Sequence, residues 1–263
     1  MKKLLAALLL ASTSLPALAI GTMAEVNVVD RYSGRFLPTY YHNGSWYVAG
    51  KAGGKYEISV RSQYGERLLA VTSVDGINVI SGKNASPQQS GYVIDAWGET
   101  RVEGWRKNMG EVASFIFSPQ GHSYAARTGR ADQVGVIGVA LFRERAPVQV
   151  YRERERLYDR SDAPAASASP APMQKRRAEA APIMEDSGRV SPGTPLGTAH
   201  GNREESQARY TDFQRASSNP DEVITIYYDS YDNLVAMGVI PGRRHPRPQP
   251  SPFPGEFVPD PRW

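Results

Sequence analysis

The sequence predicts a mainly β fold, an antiparallel β-sandwich that is jelly-roll-like and carries a small C-terminal α/β segment. Glycine and proline number 24 and 20 among 263 residues, a balance typical of short strands and turns and unlike that of a helical bundle. Between Lys55 and Arg143, short alternating segments recur every ~8–12 residues with turn residues between them. That spacing is the signature of an antiparallel sandwich or barrel.

Residues 1–19 have the order of a secretory signal peptide. Lys2 and Lys3 precede an apolar run, and small residues at Ala17 and Ala19 predict cleavage after Ala19, with Ala24 as the second choice. An uncleaved anchor is the alternative, but the run is shorter than the ~20 residues that a bilayer core needs, and Pro16 interrupts it. The sequence therefore predicts a periplasmic or secreted protein without a transmembrane segment in its mature chain.

Residues 20–146 are predicted to form the β-sandwich domain. Residues 20–54 are irregular, with Val26–Val29 as a candidate edge strand. After them, alternating or apolar segments predict a series of strands. The clearest of these strands are Tyr56–Arg61, Arg67–Val74, Ile77–Ile80, Gly91–Ile94, Thr100–Trp105, Glu111–Ser118 and Val134–Phe142.

Residues 147–194 are predicted to be a linker, charged at first and then rich in Ala, Pro and Ser. A short helix after Pro147 is one option for the charged part. Residues 163–172 contain too little apolar bulk to offset their ordering entropy, which indicates disorder.

Residues 195–240 are predicted to be a small α/β segment. Val223–Tyr228 is a predicted strand, and Ser230 caps a short helix that ends before Gly238. A hairpin over Asp229–Asn233 is the alternative. Because a segment of this size is too small to fold alone, we expect it to dock on the sandwich. Residues 241–263 contain eight prolines and predict an extended tail.

Composition excludes several classes of function. The chain has no cysteine, so disulfides, thiolate zinc sites and cysteine nucleophiles are absent. Removal of residues 1–19 lowers the formal net charge from +4 to +2, and Arg alternates with Glu over residues 152–156. Because a nucleic-acid binder concentrates positive charge on one face, no nucleic-acid partner is expected. No cofactor is predicted.

Several stretches in both predicted ordered parts carry a resemblance to known proteins. They are Tyr56–Arg61 through Val79, Gly104–Lys107 with Glu111–Ala113, Ser123–Gly129, Val134–Val139, Gly197–Gly201 with Arg203 and Glu204, and Ala216–Ser218 through Leu234–Ala236. Together they resemble a group of uncharacterised exported proteins of proteobacteria. The resemblance implies kinship but no catalytic assignment.

Two predicted loops combine aromatic and cationic residues, which are the usual anchors of protein interfaces. A local structural role for these side chains is the alternative. The candidate interface residues are Trp105, Arg106, Lys107, Tyr124, Arg127 and Arg130.

Three further patterns could carry chemistry. His200 and Glu204 are a weak metal-site candidate, because a second histidine is missing and Gly201 favours a turn. His122 beside Ser123 would suit a hydrolase, but no nucleophile-elbow motif surrounds the serine. Trp97, together with Trp105 and Tyr124, could bind a sugar.

The sequence thus predicts a non-enzymatic exported protein that acts by contact with another protein of the cell envelope. A glycan-binding or small-ligand-binding module is the alternative, and a hydrolase is a third hypothesis.

Overall fold

The computed structural model describes residues 20–146 and 193–242. The predicted signal peptide, nearly all of the predicted linker with its short helix, and nearly all of the predicted tail lie outside these ranges. The strands are β1 Ala24–Asp30, β2 Arg35–Phe36, β3 Thr39–His42, β4 Ser45–Gly50, β5 Lys55–Ser62, β6 Leu68–Val74, β7 Ile77–Asn78, β8 Tyr92–Ile94, β9 Glu99–Val102, β10 Gly104–Arg106, β11 Glu111–Pro119, β12 Val136–Arg143, β13 Leu196–Glu205 and β14 Glu222–Ser230. The α-helices are α1 Tyr124–Arg127 and α2 Tyr231–Ala236, and single 3-10 turns span Gln120–His122 and Ala131–Gln133.

Two seven-stranded sheets form the sandwich, which confirms the predicted fold class. In the first sheet β5 pairs with β1 on one side and with β9 and β11 on the other, and β11 also pairs with β10 and β13. The second sheet has the order β3–β4–β14–β12–β6, and β6 also pairs with β7 and β8. The pairing of β14 with β4 is parallel, whereas the other described strand pairs are antiparallel, so the second sheet is mixed.

The core lies between the two sheets because alternate side chains of each strand face inward. Tyr56 and Phe115 from the first sheet are fully buried, as are Leu141 and Ile226 from the second. Tyr56 stacks on Phe117, with ring centroids 4.1 Å apart. The inward aromatic residues therefore come mainly from the first sheet.

Residues 195–240 are part of both sheets. The sequence predicts that this segment docks as a separate piece, whereas β13 lies beside β11 and β14 lies between β4 and β12. Its strands have apolar side chains on one face only, which can be buried only by joining existing sheets. The predicted helix is confirmed as α2, where the Ser230 hydroxyl accepts a hydrogen bond from the Asn233 N–H and Gly238 follows with φ of 76°.

The outer faces of the sheets are covered differently. On the first sheet, the Glu57 side chain is almost completely buried between the guanidinium groups of Arg31, at 3.5 Å, and Arg101, at 2.8 Å. On the second sheet, Phe213 packs against an apolar cluster, and the Arg215 guanidinium lies 4.2 Å from the ring centroid of Phe142. Paired charges therefore shield one face, and the segment after β13 covers part of the other. Among the described residues, no helix is long and apolar enough to cross a membrane.

Candidate functional site

An aromatic cluster of Trp105, Tyr124 and His200 lies at one end of the first sheet. Trp105 is on β10, Tyr124 on α1 and His200 on β13. The ring centroids of Trp105 and Tyr124 are 5.1 Å apart, and those of Tyr124 and His200 are 5.6 Å apart. The rings of Trp105 and His200 are nearly parallel, with centroids separated by 6.4 Å. The structure thus brings together two of the predicted interface residues and the weak metal candidate.

Trp105 is the base of this cluster and is only 2% exposed. Of the two roles that the sequence leaves open for it, the structure favours the structural one over an exposed interface anchor, because Trp105 packs edge-on against Phe115 with centroids 4.9 Å apart. Its indole N–H has no hydrogen-bond partner among the residues that the structure describes. A buried donor of this kind costs about 1–3 kcal/mol unless water or a ligand accepts from it.

Helix α1 holds Tyr124 over the cluster. The Ser123 hydroxyl accepts a hydrogen bond of 3.1 Å from the Ala126 N–H, and the Thr128 hydroxyl donates to the Tyr124 carbonyl at 2.8 Å. A Cβ at Gly197 would lie 2.6 Å from the Ser123 Cβ, so α1 approaches β13 closely. Ser123 is fully buried and serves as a helix cap, whereas His122 is exposed. The predicted pairing of His122 with Ser123 for hydrolysis is therefore not formed.

Arg106 faces away from the cluster. Its guanidinium donates to the Tyr92 hydroxyl at 3.0 Å and to the Ser206 carbonyl at 2.7 Å. Because neighbouring residues of a strand point to opposite faces, Arg106 and Trp105 cannot contribute to the same surface. Arg106 holds the chain that follows β13 in place. Its contacts therefore match the local structural role that was the alternative to an interface role.

The other three predicted cations lie around the exposed side of Tyr124 and His200. The Arg130 guanidinium carbon lies 5.9 Å from the ring centroid of Tyr124, and its Nη1 donates to Asn84. Arg127 is exposed in the last turn of α1. Lys107 is also exposed, and its pKa is lowered by partial burial of the ammonium and by the nearby Arg203. Lys107, Arg127, Arg130 and Arg203 are hereafter the cationic rim.

The surroundings of His200 favour its neutral form. Burial lowers the pKa of its imidazole below the ordinary value of 6.5, and the charges of Lys107 and Arg203 add to this effect. A neutral imidazole can both donate and accept a hydrogen bond. The cluster therefore offers aromatic surface and a polar ring beside the cationic rim.

His200 and Glu204 do not form a metal site. Two residues of β13 lie opposite Ser114, so a bulge separates the two side chains. Glu204 forms ion pairs with Arg31 and Lys55 instead of approaching His200. Within residues 20–146 and 193–242, no group of three His, Asp or Glu side chains is placed to hold a metal ion.

Trp97 is separate from the cluster in the contacts that the structure records. Its side chain is 69% exposed in the turn before β9, and its backbone has a φ of 57°, which is unusual for a bulky residue. The neighbouring Glu99 pairs with Arg61 at 2.7 Å. The sugar site predicted from Trp97, Trp105 and Tyr124 is thus not assembled as one surface.

Sequence reasoning missed a buried polar network centred on Asp75. One carboxylate oxygen accepts hydrogen bonds from the Tyr228 hydroxyl at 2.5 Å and the Gly135 N–H at 2.9 Å, and the other accepts from the Thr198 N–H at 2.8 Å. The Thr198 hydroxyl is also bonded to the hydroxyls of Tyr56 and Tyr228, each at 2.6 Å.

This Asp75 network links the two sheets. Burial raises the pKa of the Asp75 carboxyl and, helped by the nearby carboxylate, raises the pKa of Tyr56 and Tyr228. Asp75 adopts a φ of 52° and is followed by Gly76, so its local sequence indicates only a tight turn. The network is fully enclosed, which makes it a structural element of the core.

No protein-family model matches this chain, and neither a curated protein nor a solved structure matches it.

Proposed function

We propose that this chain is a non-enzymatic exported protein that acts by contact with another protein of the cell envelope. The observation that carries the proposal is the cationic rim beside Tyr124, which combines exposed charge with an aromatic cluster on a rigid base. Arginine and aromatic residues are the side chains most often found at the energetic centres of interfaces. Opposite charge across an interface speeds association and selects the partner. We therefore infer that the partner presents an acidic segment.

Export is part of the proposal and rests on residues 1–19. The described contacts favour Ala19 over Ala24 as the cleavage site. Ile20 is 2% exposed in the core, and Glu222 accepts hydrogen bonds of 2.7 Å from the backbone N–H groups of both Thr22 and Met23. Cleavage after Ala24 would remove all three contacts. We expect the exported protein to begin at Ile20, which intact-mass measurement of the purified mature protein would test.

Contact through the cationic rim is tested by photocrosslinking in cells. A photoreactive residue at position 124 should trap one reproducible protein partner, and Arg127→Glu should reduce the yield of that species at least tenfold. Arg35→Glu is the matched control, because Arg35 is an exposed cation on β2, the short strand beside β1. Failure to trap any protein, or equal loss in both variants, would overturn the proposal.

A second candidate function is binding of a small hydroxyl-rich ligand such as a sugar. It is favoured by the half-buried imidazole of His200, which offers a hydrogen-bonding group beside the partly exposed ring of Tyr124. A glycan array should then show binding that Tyr124→Ala abolishes and Arg127→Glu leaves intact. Protein contact predicts the reverse dependence on Arg127.

A further inference from the structure

A second surface, which includes none of the cationic-rim residues, contains a partly open cavity of about 220 Å³ beside α2. It is bordered by the end of β14, by β4 and by the chain that enters β13. Its walls are mostly apolar or aromatic. The side chains that define it are Tyr47, Val134, Pro195, Tyr227, Leu234 and Met237.

Two tyrosines form the aromatic part of this cavity. Tyr47 and Tyr227 lie opposite each other in the parallel pairing of β4 and β14, and their ring centroids are 5.6 Å apart. Tyr227 is 41% exposed and Met237 is 54% exposed. Exposed, adjacent aromatic rings of this kind are the surface on which proline-rich segments in the polyproline II conformation are recognised.

The chain itself contains a proline-rich segment, which follows in sequence the residues beside the cavity. Residues 243–263 follow the described part, and prolines occupy alternate positions from Pro246 to Pro254. Each proline fixes its own φ and biases the preceding residue towards extended conformations, so this stretch favours polyproline II before any contact is made. Because proline has no N–H, the stretch is unsuited to pairing as a strand at a sheet edge.

The tail begins next to the cavity. Ile240 is 4% exposed and belongs to a small cluster against which Tyr47 packs, and a Cβ at Gly242 would lie 3.4 Å from Val235 of α2. In polyproline II, ten residues extend over about 30 Å, which is ample to reach the Tyr47–Tyr227 pair. A tether this short also gives a high effective concentration at the cavity.

Charge favours the same occupant. Arg243, Arg244 and Arg247 lie at the start of the tail. Asp229 lines the cavity, where its carboxylate accepts hydrogen bonds from the Leu196 and Ser230 N–H groups, and Asp232 is exposed in the first turn of α2. The basic part of the tail and this acidic side of the cavity are therefore complementary in charge.

We propose that the cavity beside α2 binds the protein's own proline-rich tail, with the prolines of residues 246–254 packed on Tyr47 and Tyr227. This inference does not depend on the proposed envelope contact, since it uses a different surface. It assigns a docking role to the exposed side chains of Tyr227 and Met237 and to the partly exposed Tyr47.

The test uses the full chain with photoreactive benzoylphenylalanine in place of Met237. We expect a crosslink to a peptide from residues 243–263, reduced at least fivefold by Tyr227→Ala and by joint replacement of Pro248 and Pro250 with glycine. The matched control carries the photoreactive group in place of Tyr41, which is 61% exposed on β3 and outside the cavity. That control should not crosslink to the tail.

Mixing ¹⁵N-labelled and unlabelled chains before irradiation identifies the source of the crosslinked tail. Crosslinks within one isotopic species support docking of the chain's own tail. Mixed-isotope crosslinks would instead show that a second copy supplies it, and this would overturn the proposal. Crosslinks only to other segments, or none at all in a folded protein, would also overturn it. Wild-type-like circular dichroism of the Tyr227→Ala and double-glycine variants ensures that a lost crosslink reports the cavity and not unfolding.

Discussion

The Asp75 network gives a sharp test of how the two sheets are held together, through the substitution Tyr228→Phe. This change removes one hydroxyl that bonds to both Asp75 and Thr198 and leaves the ring in place. A hydrogen bond to a charged group contributes about 1.5–3 kcal/mol, and a neutral one about 0.5–1.5 kcal/mol. We therefore expect the free energy of unfolding at pH 7 to fall by about 2–4 kcal/mol.

The pH dependence of this loss follows from the Asp75 carboxyl. Burial raises its pKa in the folded state above the ordinary value of 3.8, so the folded protein binds a proton that the unfolded chain releases. The stability contributed by this group is therefore fully present below pH 3.8 and is lost as pH rises through the folded-state pKa. The hydrogen bond from the Tyr228 hydroxyl lowers the pKa of Asp75. Removal of this hydroxyl therefore raises that pKa and extends to higher pH the range in which the carboxyl of the folded protein stays protonated. The deficit of the variant should thus shrink between pH 7 and pH ~4.5.

Urea unfolding followed by tryptophan fluorescence measures both quantities. Tyr227→Phe is the matched control, because it removes the same hydroxyl from a neighbouring tyrosine that is 41% exposed, whereas Tyr228 is 3% exposed. The control should change the unfolding free energy by less than about 0.5 kcal/mol. A deficit of that small size in Tyr228→Phe, or one that grows as pH falls, would refute the reasoning.

Two further predictions concern the aromatic cluster. Gly104→Ala should reduce the unfolding free energy by at least ~3 kcal/mol, because the new Cβ would lie 2.0 Å from the Ala113 carbonyl oxygen. Gly121→Ala is the control, because no atom lies within 4 Å of its new Cβ. In the same denaturation assay it should change the unfolding free energy by less than about 0.5 kcal/mol. NMR titration should show that His200 protonates below pH 6.5, and a midpoint above that value would contradict the burial and the cationic neighbours assigned to it.

Local patterns predicted much of this fold. The alternation in Val223–Tyr228 and the Ser230 cap correctly identified β14 and α2, because these features depend on near neighbours in the chain. Trp105 departs from strict alternation. Val102 and Trp105 both face the core although their spacing should place them on opposite faces, because the chain changes course between β9 and β10. Gly104 permits the close approach to β11 that accompanies this change.

Other parts of the site depend on residues that are remote in the chain. The glycine after His200 predicts a turn, whereas His200 and Glu204 lie on a bulged strand where Gly201 packs against Ser114. The Asp75 network joins residues separated by up to 153 positions. A single sequence shows that Asp75 precedes a glycine in a turn, but it carries no signal that Tyr228 and Thr198 meet it in the core.

The central position of β14 also sets the order in which the molecule can assemble. Its neighbours β4 and β12 are both synthesised well before it, and until β14 emerges the second sheet is divided into two unconnected halves. Contacts that close so large a loop form slowly, so the sandwich is completed after synthesis of its C-terminal part and not during it. In that interval β4 and β12 each present one open edge, and the strand that pairs with both of these edges is the last strand of the described fold.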